Sequence, residues 1–403
     1  MADLEIISNY CEEYKLKNWV LEKELVKYCE NDTVALYQII TKFAKEVFNL
    51  YSLDITKYPT LPSTTMGVYR IHYLPTNTVP LIGSRLHFTL KQAYYGGMTD
   101  TYRPRGENIL SYDVNSLYPF SMYEFKMPIG NPVKFVGDPT RIDKNPFGFF
   151  KVKVTTPIKI NVLILPTEVG TSGGQRTVCS VSSWTGWYFS EEIRNAEKYG
   201  YKFEIIEGYL FNKKKLFPAF IEKLYKIKSS LNSSDPRYMI SKLFMNSLYG
   251  RFGMNPINDE SVIVTAVESE KIVATKKKVT VIPLLSGNVL VNYENKDLSN
   301  SSSTQNISVP IAAAITAYSR IVMSYYLNKY RDNIYAMDTD GIKVDCKLSP
   351  SEVDDKILGK MKLEYKFKKA IFPASKVYSG ILENPYKGRY ETTKVKGVKI
   401  PLS

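Results

Sequence analysis

Apolar residues recur at helical spacing through "NWVLEKELVKYCENDTVALYQIITKFAKEVFNLY", where Leu25, Tyr28, Leu36, Ile39, Ile40 and Phe43 fall on successive turns. Pro59 and Pro62 close this segment, so residues 18–51 read as one or two helices. Residues 56–108 are mixed, with Pro and Gly punctuation and the dipeptide Gly96-Gly97. "NILSYDV" reads as a strand leading into "NSLYPFSMYEF", a helix entered through Asn115 or Ser116. From 130 to 210, short β-like runs ("FGFFKVKVTT", "NVLILPT", "YKFEIIEGYL") alternate with turns and the polar tract "TSGGQRTVCSVSS". Residues 216–252 predict two helices joined at "NSSDP", and "KKKVTVIPLLSGNVLVNY" predicts more strand before the polar loop "NKDLSNSSSTQN". "VPIAAAITAYSRIVMSYYLNKY" is apolar on nearly every face, the pattern of a helix laid across a core. "IYAMDTDGIKV" then reads as strand, acidic turn, strand, followed by the β-like "KLEYKFKKAIFPASKVYSG". The order predicts an α+β architecture with two β-rich modules inserted between helical segments.

That last hairpin poses a physical problem, because Asp338 and Asp340 stand one residue apart in an apolar run. In an extended chain they would project to one face with Thr339 turned away. Two carboxylates so close share either a proton or a cation. A solvated turn would also use Asp and Gly. An aspartic-protease Asp-Thr-Gly does not fit, since Asp340 stands where its glycine belongs.

Composition narrows the setting. The chain has 403 residues, 44% of them hydrophobic, and a net charge of +14, which points to a polyanionic partner, most simply nucleic acid. Four cysteines without a CxxC pair and two histidines support neither a disulfide framework nor a zinc module. No apolar run reaches transmembrane length. The acidic start "MADLEIISNYCEEYK" lacks the features of a signal or transit peptide, so the expectation is a soluble, reducing compartment. Frequent Tyr, Lys, Asn and Ile are the bias expected of an A+T-rich coding sequence.

Two further segments change the reading of the hairpin. "YDVNSLYP" ends a β-run on Asp113 and carries Tyr118 five residues later, and "KLFMNSLYG" sets Lys242, Asn246 and Tyr249 on one side of a helix. In this order the chain resembles family B DNA polymerases of the protein-primed branch, found on linear mitochondrial plasmids and in viruses. "DVNSLYP", "KLFMNSLYG" and "DTDG" resemble that family's motifs A, B and C. "YYGG" (Tyr94 to Gly97) resembles its YxGG element, and "KVY" (Lys376 to Tyr378) its KxY element. "YCEND" (Tyr28 to Asp32) resembles the last exonuclease motif.

The resemblance implies a right-hand polymerase with an antiparallel-sheet palm, helical fingers and two β-rich insertions. Residues 1–60 would be an exonuclease remnant, 61–130 a linker with YxGG and the first palm segment, and 131–215 the first insertion. Residues 216–256 would form the fingers, 257–306 the second insertion, 307–375 the second palm segment, and 376–403 the KxY element opening a short or missing thumb.

Nucleotidyl transfer builds negative charge on attacking and leaving oxygens, and two Mg2+ ions roughly 3.5–4 Å apart stabilise both, with Mn2+ able to substitute. The resemblance makes Asp113 and Asp338 the expected ligand pair, Asp340 the neighbouring acid and the Val114 carbonyl a helper. Lys242 and Lys228 would meet the triphosphate. Tyr118 would exclude the ribose 2′-hydroxyl, and Asn246 and Tyr249 would line the nascent base pair. Tyr94, Gly96, Gly97, Lys376 and Tyr378 would contact DNA. Tyr28 and Asp32 read as relics of a site this chain does not complete, and "DLE" at 3–5 as chance. The partners expected are primer-template DNA, deoxynucleoside triphosphates and a terminal priming protein, with no membrane. The expected protein is a monomer, located in the mitochondrion and organelle-encoded without a presequence, the alternative being a soluble intracellular or viral protein. The competing readings are a catalytically weak DNA-binding remnant, and a metal-dependent hydrolase that would leave the Lys-Asn-Tyr row unexplained. The motif C Tyr of the family is shifted to Tyr335, and Ala336 and Gly341 replace the usual Tyr and Ser.

Overall fold

The computed structural model describes residues 20–76, 78–80, 82–157, 162–171, 174–255, 259–284, 286–294, 307–386 and 388–396. The polar loop at 295–306, part of the tract at 171–183 and the "DLE" at 3–5 lie outside them.

The first stretch forms one uninterrupted helix, α1 (Leu21–Tyr51), closed by Ser52 in the left-handed region with its N–H on the Phe48 carbonyl. Only its C-terminal part is packed: Val47 is buried and Phe43 meets Phe244 edge-on at 6.3 Å. Leu25, Tyr28, Leu36 and Ile39 are exposed. Pro62 opens a second helix, α2 (Leu61–His72), whose Thr60 and Ser63 form a reciprocal cap, and α3 (Ser84–Lys91) follows. The mixed reading of 56–108 had resolved neither.

Strands β1 (Thr99–Thr101) and β2 (Arg105–Val114) lead into α4 (Leu117–Glu124). The turn into that helix passes through Ser116 at φ 56, so Ser116 precedes the helix as expected but its hydroxyl does not cap it. The first β-rich module comprises β3 (Met127–Val136), β4 (Gly148–Thr155), β5 (Pro166–Thr171), β6 (Gly174–Cys179), β7 (Ser183–Phe189), helix α5 (Ser190–Glu197) and β8 (Lys202–Lys214). Its main sheet runs β3-β8-β4-β7, all antiparallel, with β5 and β6 as a separate hairpin.

Helices α6 (Pro218–Ser230) and α7 (Pro236–Phe252) pack as the expected pair. The Asp235 side chain caps α7 through the Arg237 amide at 2.9 Å. The second β-rich module holds β9 (Asp259–Val264), α8 (Ala266–Thr275), β10 (Lys277–Pro283) and β11 (Val289–Glu294) in a three-stranded sheet. The apolar helix α9 (Val309–Lys329) buries sixteen residues from Val309 to Leu327 and crosses the core, as its sequence dictates.

The remaining strands are β12 (Ile334–Asp338), β13 (Gly341–Val344), β14 (Met361–Ala374), β15 (Val377–Tyr386) and β16 (Arg389–Val395). They complete a seven-stranded sheet in the order β1-β12-β13-β2-β14-β15-β16, with every neighbouring pair antiparallel. Described residues of 376–403 therefore extend this sheet by two strands. β2 occupies its middle, which brings Asp113 beside the β12–β13 turn although more than 200 residues separate them in sequence. Among the described residues, no helix is long and apolar enough to cross a membrane.

Candidate active site

Asp113 sits near the end of β2, paired on one side with Gly341 and on the other with Lys362. The β12–β13 connection is a two-residue turn, because Asp338 pairs directly with Gly341 and Thr339 lies at φ 57. The acidic stretch is thus not extended, and the expectation that both carboxylates share one strand face fails here. The tight turn separates them. The Asp340 amide donates to the Asp338 carbonyl at 2.7 Å, and the Asp340 carbonyl accepts from the Val114 amide at 2.8 Å, pinning Asp340 beside β2.

A cleft of about 320 Å³ is lined by Asp113, Val114, Tyr118, Lys228, Lys242, Asn246, Asp340, Lys362 and Glu364, together with the 115–117 turn. Asp338 does not line it. Its carboxylate accepts from the Thr339 hydroxyl at 3.3 Å and lies 3.7 Å from Lys396 Nζ. The structure thus pairs Asp340, rather than Asp338, with Asp113.

Burial raises Asp113 to about 7, with Asp340 and then Glu364 pushing the same way and Lys343 opposing. Burial likewise raises Asp340, helped by Asp338. Asp113 and Asp340, both with raised proton affinity and with Glu364 beside them, form a donor set that a cation bound between them would relieve. Two carboxylates plus waters and substrate oxygens suit Mg2+. Among the described residues no group of three or more His, Cys, Asp or Glu stands at metal-ligand spacing, so waters and substrate oxygens would complete the shell.

The cationic wall comes from the helix pair. Lys242 and Asn246 are exposed on one side of α7, while Phe244, Met245 and Leu248 are buried on the other, so helical spacing alone turns the polar residues to the cleft. Lys228 of α6 donates to the Ser116 hydroxyl at 3.0 Å, and burial followed by Lys242 and Lys362 holds its pKa below the usual lysine value. Tyr118, in the cleft wall, stacks on Tyr249 with ring centroids 4.4 Å apart. Tyr94 packs behind, its ring where a Cβ on Gly253 would stand, at 2.6 Å.

Gly97 abuts the Asp338–Gly341 turn: a Cβ there would lie 2.5 Å from Thr339 Cγ2, whereas one on Gly96 would meet open space. Lys376 is exposed at the β14–β15 turn with φ 63, and Tyr378 packs against Phe367 and Phe372 on the same sheet, its hydroxyl pushed up to about 12 by burial. Tyr28 and Asp32 lie on the exposed part of α1 and do not line the cleft.

Sequence reading missed Glu364 and Lys343. Glu364 is the extra residue where β14 slips register between Leu363 and Tyr365, a bulge that sends its side chain to the cleft. Nothing in the alternation of residues signals that slip. Lys343 is 8% exposed on β13, and burial lowers its pKa against the opposing pull of Asp113, Glu364, Asp338 and Asp340. The alternation of a two-sided strand should have flagged a lysine between Ile342 and Val344.

Gly341 has a steric reason. A Cβ there would stand 2.7 Å from Asp113 Oδ1 and 3.2 Å from the Tyr112 carbonyl. Gly341→Ala is expected to lower stability by about 1–3 kcal/mol, measured by urea unfolding. Tyr335, the shifted aromatic, lies at a register slip in β12 and packs under Arg103 (5.1 Å) and beside Phe372 (6.2 Å).

Residues 2–333 match the family described as DNA polymerase type B, organellar and viral. The chain belongs to that family. It is 50% identical over 394 residues to a "Probable DNA polymerase" of Ascobolus immersus, covering 98% of this chain and 32% of the relative. It is 48% identical over 406 residues to one from Neurospora intermedia, covering 99% of this chain and 42% of that relative. The chain thus spans a third to less than half the length of these two relatives. Its fold matches phi29 DNA polymerase complexed with single-stranded DNA at a TM-score of 0.67 and 22% identity, over 88% of this chain and 62% of the other. The phi29 ternary complex gives 0.66 over 85% and 60%. The architecture is a right-hand polymerase fold.

Proposed function

We propose that the chain is a DNA-directed DNA polymerase that extends a primer by nucleotidyl transfer, with Mg2+ as its cofactor. The observation that carries the reading is the cleft itself. Three segments distant in sequence, β2, the α6–α7 pair and the β12–β13 turn, bring Asp113, Asp340, Lys228 and Lys242 to one cleft fit for a triphosphate.

Asp113 and Asp340, with the Val114 carbonyl, would hold the cation; Glu364 adds negative charge inside the cleft and Asp338 from outside it. When bound, two divalent ions supply stabilisation to both the attacking and the leaving oxygen. Lys242 and Lys228 meet the phosphates, and the stacked Tyr118–Tyr249 pair bounds the sugar and base, with Asn246 beside it. Lys376 and Tyr378 steady the primer strand, and Tyr94, Gly96 and Gly97 steady the template side. Contacts to phosphate fix position without reading sequence. The first β-rich module (131–215) takes the terminal priming protein and the second (257–306) encircles DNA. The chain works as a monomer in the mitochondrion, a placement in keeping with its organellar and viral family.

A pH profile tests the site. Asp113 must lose its proton before it can bind a cation, so the apparent Mg2+ affinity in primer extension should rise about ten-fold per pH unit below about pH 7 and level off above it. The linkage has a second consequence in cation-free protein. Between about pH 4 and about pH 7 the folded state keeps a proton that the unfolded chain has lost, so this group's contribution to stability falls as pH rises. A Mg2+ requirement flat across pH 5–8 would remove Asp113 from the ligand set.

A further inference from the structure

We infer that Arg320 and Glu192 are positioning residues for the Asp338–Asp340 turn, acting through the backbone of Tyr95 to Gly97; this rests on the metal-site reading above. Arg320 projects from α9 with its side chain 2% exposed, and Glu192 of the first β-rich module is 4% exposed. Arg320 Nε and Nη2 donate to the two Glu192 carboxylate oxygens at 2.6 and 2.8 Å. Its Nη1 donates to the Tyr95 carbonyl at 2.7 Å and the Gly96 carbonyl at 3.0 Å. One planar guanidinium thus ties the central helix, the inserted module and the loop before β1 together, a geometry lysine cannot reproduce.

The module end is braced independently. Tyr95 stacks on Tyr188 of β7 at 5.4 Å, the Tyr188 hydroxyl accepts from Trp184 Nε1 and donates to the Pro166 carbonyl, and Asn195 donates to the Ser324 hydroxyl on α9. At the other end the loop presses on the catalytic turn. The Thr339 amide donates to the Met98 carbonyl at 2.8 Å, Thr99 pairs with Asp338, and no side chain fits between Gly97 and Thr339. Thr339 holds a left-handed conformation unusual for a β-branched residue, and such conformations persist where surroundings over-determine them. The path from Glu192 to Asp340 is therefore a continuous set of short, directional contacts, none of which passes through solvent.

Simple loss of a buried ion pair would destabilise any protein, so the test separates stability from position. The double variant Arg320→Met with Glu192→Met replaces the pair by apolar residues, an exchange that is often neutral for folding. It cannot hold the two carbonyls. Mn2+ is titrated into the unliganded chain, with free ion followed by electron paramagnetic resonance, alongside thermal melting. The double variant should melt within about 5 °C of wild type yet bind Mn2+ about five-fold more weakly. Gly97→Ala, which leaves the ion pair in place and pushes on Thr339, should weaken Mn2+ similarly, and it decides the matter if the double variant fails to fold. Wild-type Mn2+ affinity in Gly97→Ala, or in a folded double variant, would overturn the inference. A wild-type chain that binds no Mn2+ would instead overturn the metal-site reading, and the positioning role with it.

Discussion

Primer extension by Asp340→Asn falls by about three orders of magnitude or more, Asp113→Asn falls with it, and Asp338→Asn keeps at least about ten-fold more activity than either. The ranking follows from placement. Asp113 and Asp340 line the cleft together, and Asn in either place removes a charge that must oppose a divalent cation. Asp338 turns toward Thr339 and Lys396, so its charge reaches the cleft only through the field. Single-turnover extension under saturating Mg2+ measures the three variants on one scale. An Asp338 variant as inactive as the Asp340 variant would show that the turn rearranges when substrate binds.

The second large effect concerns sugar selection. Tyr118→Val should raise ribonucleotide incorporation relative to deoxyribonucleotide by on the order of a hundred-fold, read as the ratio of kcat/KM values. The ring stands in the cleft beside Asp113, held by α4 and by its stack on Tyr249 at 4.4 Å. Valine opens space where a 2′-hydroxyl would sit and also leaves Tyr249 unsupported, so the deoxynucleotide KM should rise too. Tyr118→Phe keeps the stack and should keep the discrimination. Unchanged selection in the valine variant would take Tyr118 out of that role.

How much of this was legible in the sequence depends on whether a contact follows from local spacing. The row Lys242, Asn246, Tyr249 follows from helical period alone, and the structure turns its lysine and asparagine to the cleft while Phe244 and Met245 between them are buried. The apolar run of α9 could be little other than a core helix, and α6 and α7 stand where "NSSDP" divides them. The choice between Asp338 and Asp340 was not legible, because period-two reasoning assumes extended backbone and Thr339 leaves that region. Glu364 owes its place to a bulge, and the Arg320–Glu192 pair joins residues 128 apart, so neither has a local signature. Two omissions were avoidable. Thr265 and Glu268 spell the reciprocal cap that opens α8, and Ser190-Glu191-Glu192 followed by Gly200 at φ 88 brackets α5 with acidic-start and glycine-stop signals. The exposed apolar residues of α1 are the converse case: their spacing correctly predicted a helix, but helical spacing says nothing of what packs against it.

The most direct measurement is primer extension by the 403-residue chain on a primed DNA template with Mg2+ and the four deoxynucleoside triphosphates. Template-directed product should appear, vanish when EDTA removes the cation, and be lost in Asp340→Asn while binding to the primed template persists. Tight binding to the primed template by the wild-type chain, with no extension at any enzyme concentration, would contradict the account and identify a DNA-binding remnant.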